Sequence, residues 1–290
     1  MADYQWFPGH MAKARRMMQE DSKLVDLIIE LADARIPMSS RNPDIDALFG
    51  SKKRILLLCK ADLADPARTD RSKAFYESQG LMVVPLDART RRANDTIRAA
   101  VNEACKDRIE RDRRRGIIGR PLRAMVVGIP NVGKSTFINS FAGKASAKTG
   151  NKPGVTRGKQ WIRLNKQLEL LDTPGILWPK FEDPEVGVHL ALTGAIREEL
   201  LREEELAQTL LGKLREEYPA LLKDKYLKEV PEEEIPDNLQ ELLRKIAVER
   251  NLLRSGGEPD ELRTARLLLD DFRGGKIGRI SLETAHGPVE

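Results

Sequence analysis

The chain has 290 residues, 40% apolar and 33% charged, which supplies a packed core and excludes wholesale disorder. No apolar run approaches the ~18 residues of a membrane span; the opening Met1-Ala-Asp-Tyr-Gln-Trp6 does not read as a secretory signal, and two cysteines, Cys59 and Cys105, do not make a disulfide framework or a zinc site, so a cytoplasmic protein is expected. The net charge of +5 conceals a basic stretch, 1–180, with 34 Lys and Arg against 20 Asp and Glu, and an acidic one, 181–290, with 16 against 25, a split that suggests a polyanionic partner as readily as an uneven solvated surface.

Residues 1–22 form a polar lead segment. It carries an aromatic cluster (Tyr4, Trp6, Phe7), a Pro8-Gly9-His10 turn and a helical pattern through Met11, Ala14 and Met18. Leu24–Leu31 is an apolar stretch that fits a strand ending at a polar loop, Arg54–Cys59 and Leu81–Leu86 are short continuous apolar runs, the pattern of parallel strands buried on both faces, and Ala124–Val127 is a further buried strand. Residues 91–115 read as helix, and Arg111–Arg123 holds six arginines and one acid. Lys159–Leu164 and Gln167–Leu171 read as a hairpin turning at Asn165-Lys166. Beyond Trp178-Pro179 strand signals vanish. Asp183-Pro184 and Glu258-Pro259 each open a helix rich in Leu, Glu, Lys and Arg, and Pro231–Pro236 is an acidic linker. The expected architecture is α/β: a P-loop domain over 1–180, followed by a small all-helical domain over 181–290.

Gly128-Ile-Pro-Asn-Val-Gly133-Lys134-Ser135 matches G-x-x-x-x-G-K-[ST] between a strand and a helix. Its backbone N–H groups, from Asn131, Val132 and Gly133 to Thr136 at the helix start, can wrap anionic phosphates. Lys134 reaches the β- and γ-phosphates and Ser135 ligates Mg²⁺. Asp172-Thr-Pro-Gly175 ends a strand 37 residues beyond Ser135. Asp172 there sits beside Mg²⁺ through water, and the Gly175 N–H meets the γ-phosphate. Between them Thr156 is the candidate switch threonine that completes the Mg²⁺ shell.

A guanine needs a carboxylate that accepts from N1–H and the 2-amino group. Nothing beyond residue 175 supplies one in the pattern Asn/Thr-Lys-x-Asp. Upstream, Cys59-Lys60-Ala61-Asp62 follows a strand, and Leu86-Asp87-Ala88-Arg89 resembles the short loop whose N–H, at Ala88, meets guanine O6. The base reader therefore precedes the phosphate loop, which is the order of a circularly permuted GTPase. In that order the Asp172–Gly175 segment leads straight into the helical half, so nucleotide state can bias the position of that half.

Trp6-Phe-Pro-Gly-His10-Met-Ala-Lys, Asp33-Ala-Arg-Ile-Pro37, Cys59–Asp62, Gly128–Ser135, Pro153-Gly-Val-Thr156, Asp172–Gly175 and Phe272-Arg-Gly-Gly-Lys-Ile-Gly-Arg279 together resemble the YlqF/RbgA-type circularly permuted GTPases over nearly the whole chain. The resemblance implies a GTP-hydrolysing assembly factor for the large (50S) ribosomal subunit, with a C-terminal helical domain on rRNA and no membrane or DNA partner. Mg²⁺ is the implied cofactor. Asn131 would coordinate K⁺ as a second cation. His10 is implied as the group that positions the attacking water, because Ile176, in the place where Ras-like enzymes hold a glutamine, cannot. Where the family has Asn, this chain has Cys59, so a lowered guanine affinity is expected. A nucleotide-gated RNA clamp whose hydrolysis is dispensable, and a signalling or translation-type GTPase, are the alternative readings.

Overall fold

The apolar runs become the strands of one six-stranded sheet in the computed structural model, which describes residues 9–87, 90, 92–117, 119–142, 160–163, 167–173, 177, 183–196 and 202–287. Strands β1 (Leu27–Asp33), β2 (Lys53–Cys59), β3 (Met82–Leu86), β4 (Leu122–Gly128), β5 (Gln160–Arg163) and β6 (Leu168–Asp172) lie in the order β3-β2-β1-β4-β6-β5. All pairings are parallel except β5 on β6. Every residue of β1 is buried, as in a strand covered on both faces; its two acids, Glu30 and Asp33, are buried against Arg41 and Arg35.

Helices α1 (Gly9–Asp21), α2 (Ile45–Phe49), α3 (Pro66–Ser78), α4 (Arg92–Ala104), α5 (Lys106–Arg114) and α6 (Lys134–Ala142) complete the α/β part. Asp65 caps α3 by accepting from the Arg68 N–H at 3.0 Å, with Pro66 in the first helical position. One side of the sheet packs Met18, Ile28, Phe49, Met125 and Leu171 together, and Ala32, Leu56, Leu58, Tyr76 and Val83 beside them. The alternate residues Leu27, Ile29, Leu31, Leu57 and Val126 are also fully buried.

Helices α7 (Pro184–Leu192), α8 (Glu203–Glu217), α9 (Pro219–Tyr226), α10 (Leu239–Glu249) and α11 (Glu261–Arg273) form the remainder. Its core is leucine-rich: Leu210, Leu214, Leu242, Leu243, Leu268 and Leu269 are buried. The Arg273 guanidinium donates to the Leu192 and Ala191 carbonyls at 2.9 and 2.8 Å, satisfying the open C-terminal end of α7. No helix among the described residues is long and apolar enough to cross a membrane.

The structure moves several expected boundaries. Strand β1 starts at Leu27, where pairing with Lys53 and Ala124 begins; Leu24 lies in a single 3₁₀ turn and is exposed. The helical stretch at 91–115 breaks at Cys105 into α4 and α5. Helix α11 opens at Glu261, capped by Asp260, because Pro259 is engaged in a bridge with Leu253. Gly9 and His10 belong to the first turn of α1 rather than to a free turn.

The chain divides into two compact units, Met1–Pro184 with Glu283–Glu290, and Glu185–Leu282. The tail that the sequence assigns to the helical segment thus returns to the first unit. Its anchors are polar and specific. The Glu283 carboxylate accepts from the Met38 and Ser39 N–H groups at 2.5 and 2.7 Å and from the Ser39 hydroxyl at 2.6 Å, and the Ala285 N–H donates to Ser72 Oγ at 3.0 Å.

Candidate nucleotide site

The phosphate loop leaves β4 at Gly128. A Cβ there would lie 2.9 Å from the Leu31 carbonyl oxygen and 3.0 Å from Val132 Cγ1, so only glycine allows β1 and the loop to close this tightly. Asn131 (φ +57°) and Gly133 (φ +108°) take the left-handed conformations that wrap the loop into the N-terminus of α6, begun by the Phe137 N–H donating to the Gly133 carbonyl at 2.8 Å. The first N–H groups of α6 then face outward with the positive end of its dipole. Val132 is buried and packs within the loop, so its backbone is the part left for a phosphate. Ser135 is half-buried and Thr136 exposed.

Register places Asp172 of β6 opposite Val126 of β4. The Thr173 hydroxyl donates to the Val126 carbonyl at 2.6 Å and pins the strand end. The buried Lys134 ammonium donates to Asp172 Oδ1 at 2.7 Å and to the Thr173 carbonyl. The two phosphate-side motifs, 38 residues apart from Lys134 to Asp172, thus meet in one place.

The segment expected to read the base, Cys59–Asp62, arrives from the other side. Lys60 sits in a left-handed turn (φ +57°) directly after β2. Its ammonium donates to the Asn131 carbonyl of the phosphate loop at 3.1 Å and to Asp33 Oδ2 at 2.9 Å. The Ala61 N–H donates to the Leu86 carbonyl at 3.3 Å and ties the Asp62 loop to the end of β3, where Asp87 and Ala88 follow. Lys60 is therefore the strut between the base and phosphate motifs. All these groups lie at the carboxyl ends of parallel strands, where chain direction across the sheet reverses and α/β folds bind ligands.

Asp33 and Arg35 complete the strut, and sequence reading gave them no role. Asp33 accepts from Arg35 Nε at 3.0 Å and Nη2 at 2.8 Å, and both side chains are almost fully buried, at 2% and 1% exposure. Burial alone would raise the Asp33 carboxyl, but the Arg35 and Lys60 charges outweigh it and hold it well below its ordinary value. The available signal was an acid at the end of a buried strand with a basic residue two positions on.

Cys59, in the family's Asn position, is buried. Burial and then the neighbouring Asp33 charge push its thiol up to about 12. Burial also raises Cys105, to about 11. Both thiols are therefore held protonated at pH 8. Aromatic disulfide reagent is expected to leave both thiols unmodified for minutes in the native protein and to titrate two after denaturation; a rapidly reacting native thiol would contradict the burial.

Ala88, Thr156 and Gly175 lie outside the described residues, as does the side chain of His10. For Mg²⁺, the donors present fit. Ser135 offers a hydroxyl, Asp172 a buried carboxylate, both hard oxygens. No group of three or more His, Cys, Asp and Glu that could hold a metal occurs among the described residues. Mg²⁺ would accordingly be held jointly with phosphate oxygens, where it neutralises phosphate charge.

Residues 123–243 match the family described as 50S ribosome-binding GTPase, a match that begins at the phosphate-loop strand and leaves out the upstream base reader. The ribosome biogenesis GTPase A of Bacillus cereus is 46% identical over 97% of this chain and 93% of its own length, and that of Priestia megaterium 47% over 96% of each. The GNP-bound crystal structure of YlqF from T. maritima superposes with a TM-score of 0.63 at 27% identity, covering 94% of this chain and 98% of that one. The chain belongs to the ribosome biogenesis GTPase A family. GTP is the substrate of these circularly permuted GTPases and hydrolysis to GDP and phosphate their reaction. The sheet explains how the permutation is tolerated: β1, β2 and β3 precede the phosphate-loop strand in sequence yet lie beside it in space.

Proposed function

We propose that this GTPase is a cytoplasmic assembly factor for the large (50S) ribosomal subunit, binding the precursor and its rRNA in the GTP state and leaving after hydrolysis. The observation that carries the reading is the Lys134–Asp172 contact at 2.7 Å. The strand end beside the phosphates is also the covalent lead into the helical unit, twelve residues before Pro184, so the presence of a γ-phosphate bears on the chain that enters α7. The relatives named ribosome biogenesis GTPase A and the 50S ribosome-binding description support the ribosomal destination.

In this reading Asp62 and the Ala88 N–H read guanine, Lys60 holds the base loop against the phosphate loop, and Asn131 to Thr136 cradle the phosphates with Lys134 on the β- and γ-groups. Ser135 and Thr156 would ligate Mg²⁺, with Asp172 acting through water, and the Gly175 N–H meets the γ-phosphate. Ile176 leaves the attacking water without an orienting side chain, and His10, swinging in from α1, supplies one. Hydrolysis is slow until the subunit brings these groups together.

Turnover is measured with and without purified large-subunit precursor. A large stimulation is expected. Binding without stimulation would favour the nucleotide-gated clamp, and no binding in either nucleotide state a GTPase acting on another protein. Separately, Asn131 is the residue proposed to coordinate K⁺, whose positive charge stabilises the phosphates in the transition state. Turnover in KCl is expected to exceed that in NaCl by about tenfold or more, and Asn131→Ala to remove the difference. Equal rates in the two salts would discard the K⁺ role.

A further inference from the structure

Helix α5 lies along the amino-terminal edge of the parallel strands, away from the nucleotide loop at their carboxyl ends. Three contacts fix it there. Asp107 pairs with Lys53 at the start of β2 at 3.7 Å, Arg108 pairs with Asp26, and Asp26 in turn accepts from the Arg123 N–H at the start of β4 at 3.0 Å. None of the residues of α5 is buried.

Among the described residues the acids on this edge already have basic partners: Asp26 and Asp112 hold Arg108, Asp107 holds Lys53, Glu110 holds Arg114, and Glu169 holds Arg123 at 3.2 Å. Arg111, Arg113, Arg115 and Arg120 have no acidic partner among the described residues, and all four are exposed. Arg108, Arg111 and Arg115 recur at i, i+3 and i+7, so they share one helix face. Arg120 joins them through the turn containing Gly116 and Gly119, both at positive φ. Burial, then the Arg120 charge, lowers the Arg108 guanidinium, and Arg111 adds to this, which independently reports the crowding of cations here. Beside them the Arg123 guanidinium stands 5.0 Å from the centre of the Trp161 ring, which is 40% exposed.

A protein that leaves four guanidiniums uncompensated at one corner carries a self-repulsion that a polyanion relieves. We infer that the α5 corner is an RNA-binding surface, on which Arg111, Arg115 and Arg120 engage phosphates and Trp161, held by Arg123, presents an aromatic to an unstacked base. The assignment rests on the reading of the chain as a factor that docks on ribosomal RNA, and names the surface of the GTPase unit that does so. Arginine suits phosphate through its planar fork of donors, and Trp or Arg planes suit the splayed bases of RNA loops. Because this edge is one strand length, roughly 20 Å, from the phosphate loop, it binds without competing for nucleotide.

The test uses the full chain and a fluorescent RNA hairpin with an unpaired loop, titrated by anisotropy from 50 to 200 mM KCl. Arg111→Gln, Arg115→Gln and Arg120→Gln combined is expected to weaken binding about tenfold or more at 150 mM salt and to lower the slope of log affinity against log salt by about 2–3. Basal GTP turnover is expected to stay unchanged. A control with the same charge removed elsewhere on the GTPase unit (Arg71→Gln, Lys73→Gln, Arg98→Gln) is expected to keep the wild-type slope. A triple variant that binds like wild type, a control that loses as much, or a wild-type chain with no RNA affinity at 50 mM salt would each overturn the assignment. Pelleting with large-subunit precursor is run in parallel: a wild-type chain that pellets while the hairpin result is negative overturns this surface and leaves the ribosomal reading standing. Binding to the hairpin without pelleting does the reverse.

Discussion

Asp33→Asn is expected to destabilise the α/β unit by about 3–5 kcal/mol, the cost of leaving a buried cation without its anion. For a unit of this size that is a fall of roughly 6–20 °C in melting temperature. The magnitude follows from burial. Arg35 is 1% exposed and its Nε and Nη2 donate to the Asp33 carboxylate, so the amide leaves a guanidinium charge that water cannot reach. Lys60 loses its second anchor at the same time, and with it part of the hold on the Asn131 carbonyl, so weaker nucleotide binding accompanies the loss of stability.

Arg35→Met added to Asp33→Asn removes the orphaned charge and is expected to recover most of the stability, but not the nucleotide affinity, since Lys60 still lacks its partner. The pH dependence has a definite sign. The folded Asp33 carboxyl lies below its ordinary value of 3.8, so its contribution is fully present above that value and is lost only as pH falls through the folded one. The difference between wild type and Asp33→Asn is therefore expected to be flat from pH 5 to 8 and to shrink only in strong acid. Calorimetry of both proteins across that range checks it. A destabilisation below about 1 kcal/mol at pH 7 would contradict the buried-pair account.

Asp62→Asn is expected to weaken GTP by about 10²–10⁴-fold and to turn preference toward xanthine nucleotides. In the proposed reading the carboxylate accepts two hydrogen bonds from guanine, each about 1.5–3 kcal/mol when one partner is charged. The amide replaces one acceptor with a donor, which the guanine 2-amino group cannot meet but the xanthine 2-carbonyl can. The loop around Asp62 keeps its place, because Lys60 and Ala61 anchor it to Asn131 and Leu86. The substitution therefore reads recognition and not collapse of the loop. Titration calorimetry with GTP and XTP decides it; GTP affinity within threefold of wild type would remove Asp62 as the guanine reader.

The phosphate loop and the strands were legible because their signals are local. Gly128, Gly133 and Lys134 are diagnostic by spacing, since the loop's backbone geometry is set within eight residues. Buried parallel strands announce themselves as largely apolar runs, and the antiparallel pair β5 and β6 as two short strand patterns close together in the chain. Boundaries were less legible at Leu24 and Cys105, where pairing partners and helix packing set the ends. Asp33 and Arg35 stand out in the sequence only through the family resemblance, because a buried ion pair looks like any other acid and base until the neighbours are known. The tail at Glu283 was read as helical-domain sequence, since nothing near it in the chain shows the Met38 and Ser39 N–H groups it caps.

By itself the sequence determined the α/β class, the phosphate-binding turn and the reversed order of base and phosphate motifs, all encoded in residue types at short, fixed separations. Only the tertiary structure decided that Asp33, Lys60 and Asn131 form one strut, that residues 283–287 close on the first unit, and that Arg111, Arg113, Arg115 and Arg120 have no acidic partner among the described residues while Arg108 and Arg114 do. Those facts depend on contacts between residues tens to hundreds of positions apart, and a charge or a carbonyl acquires its role only when folding removes the water around it.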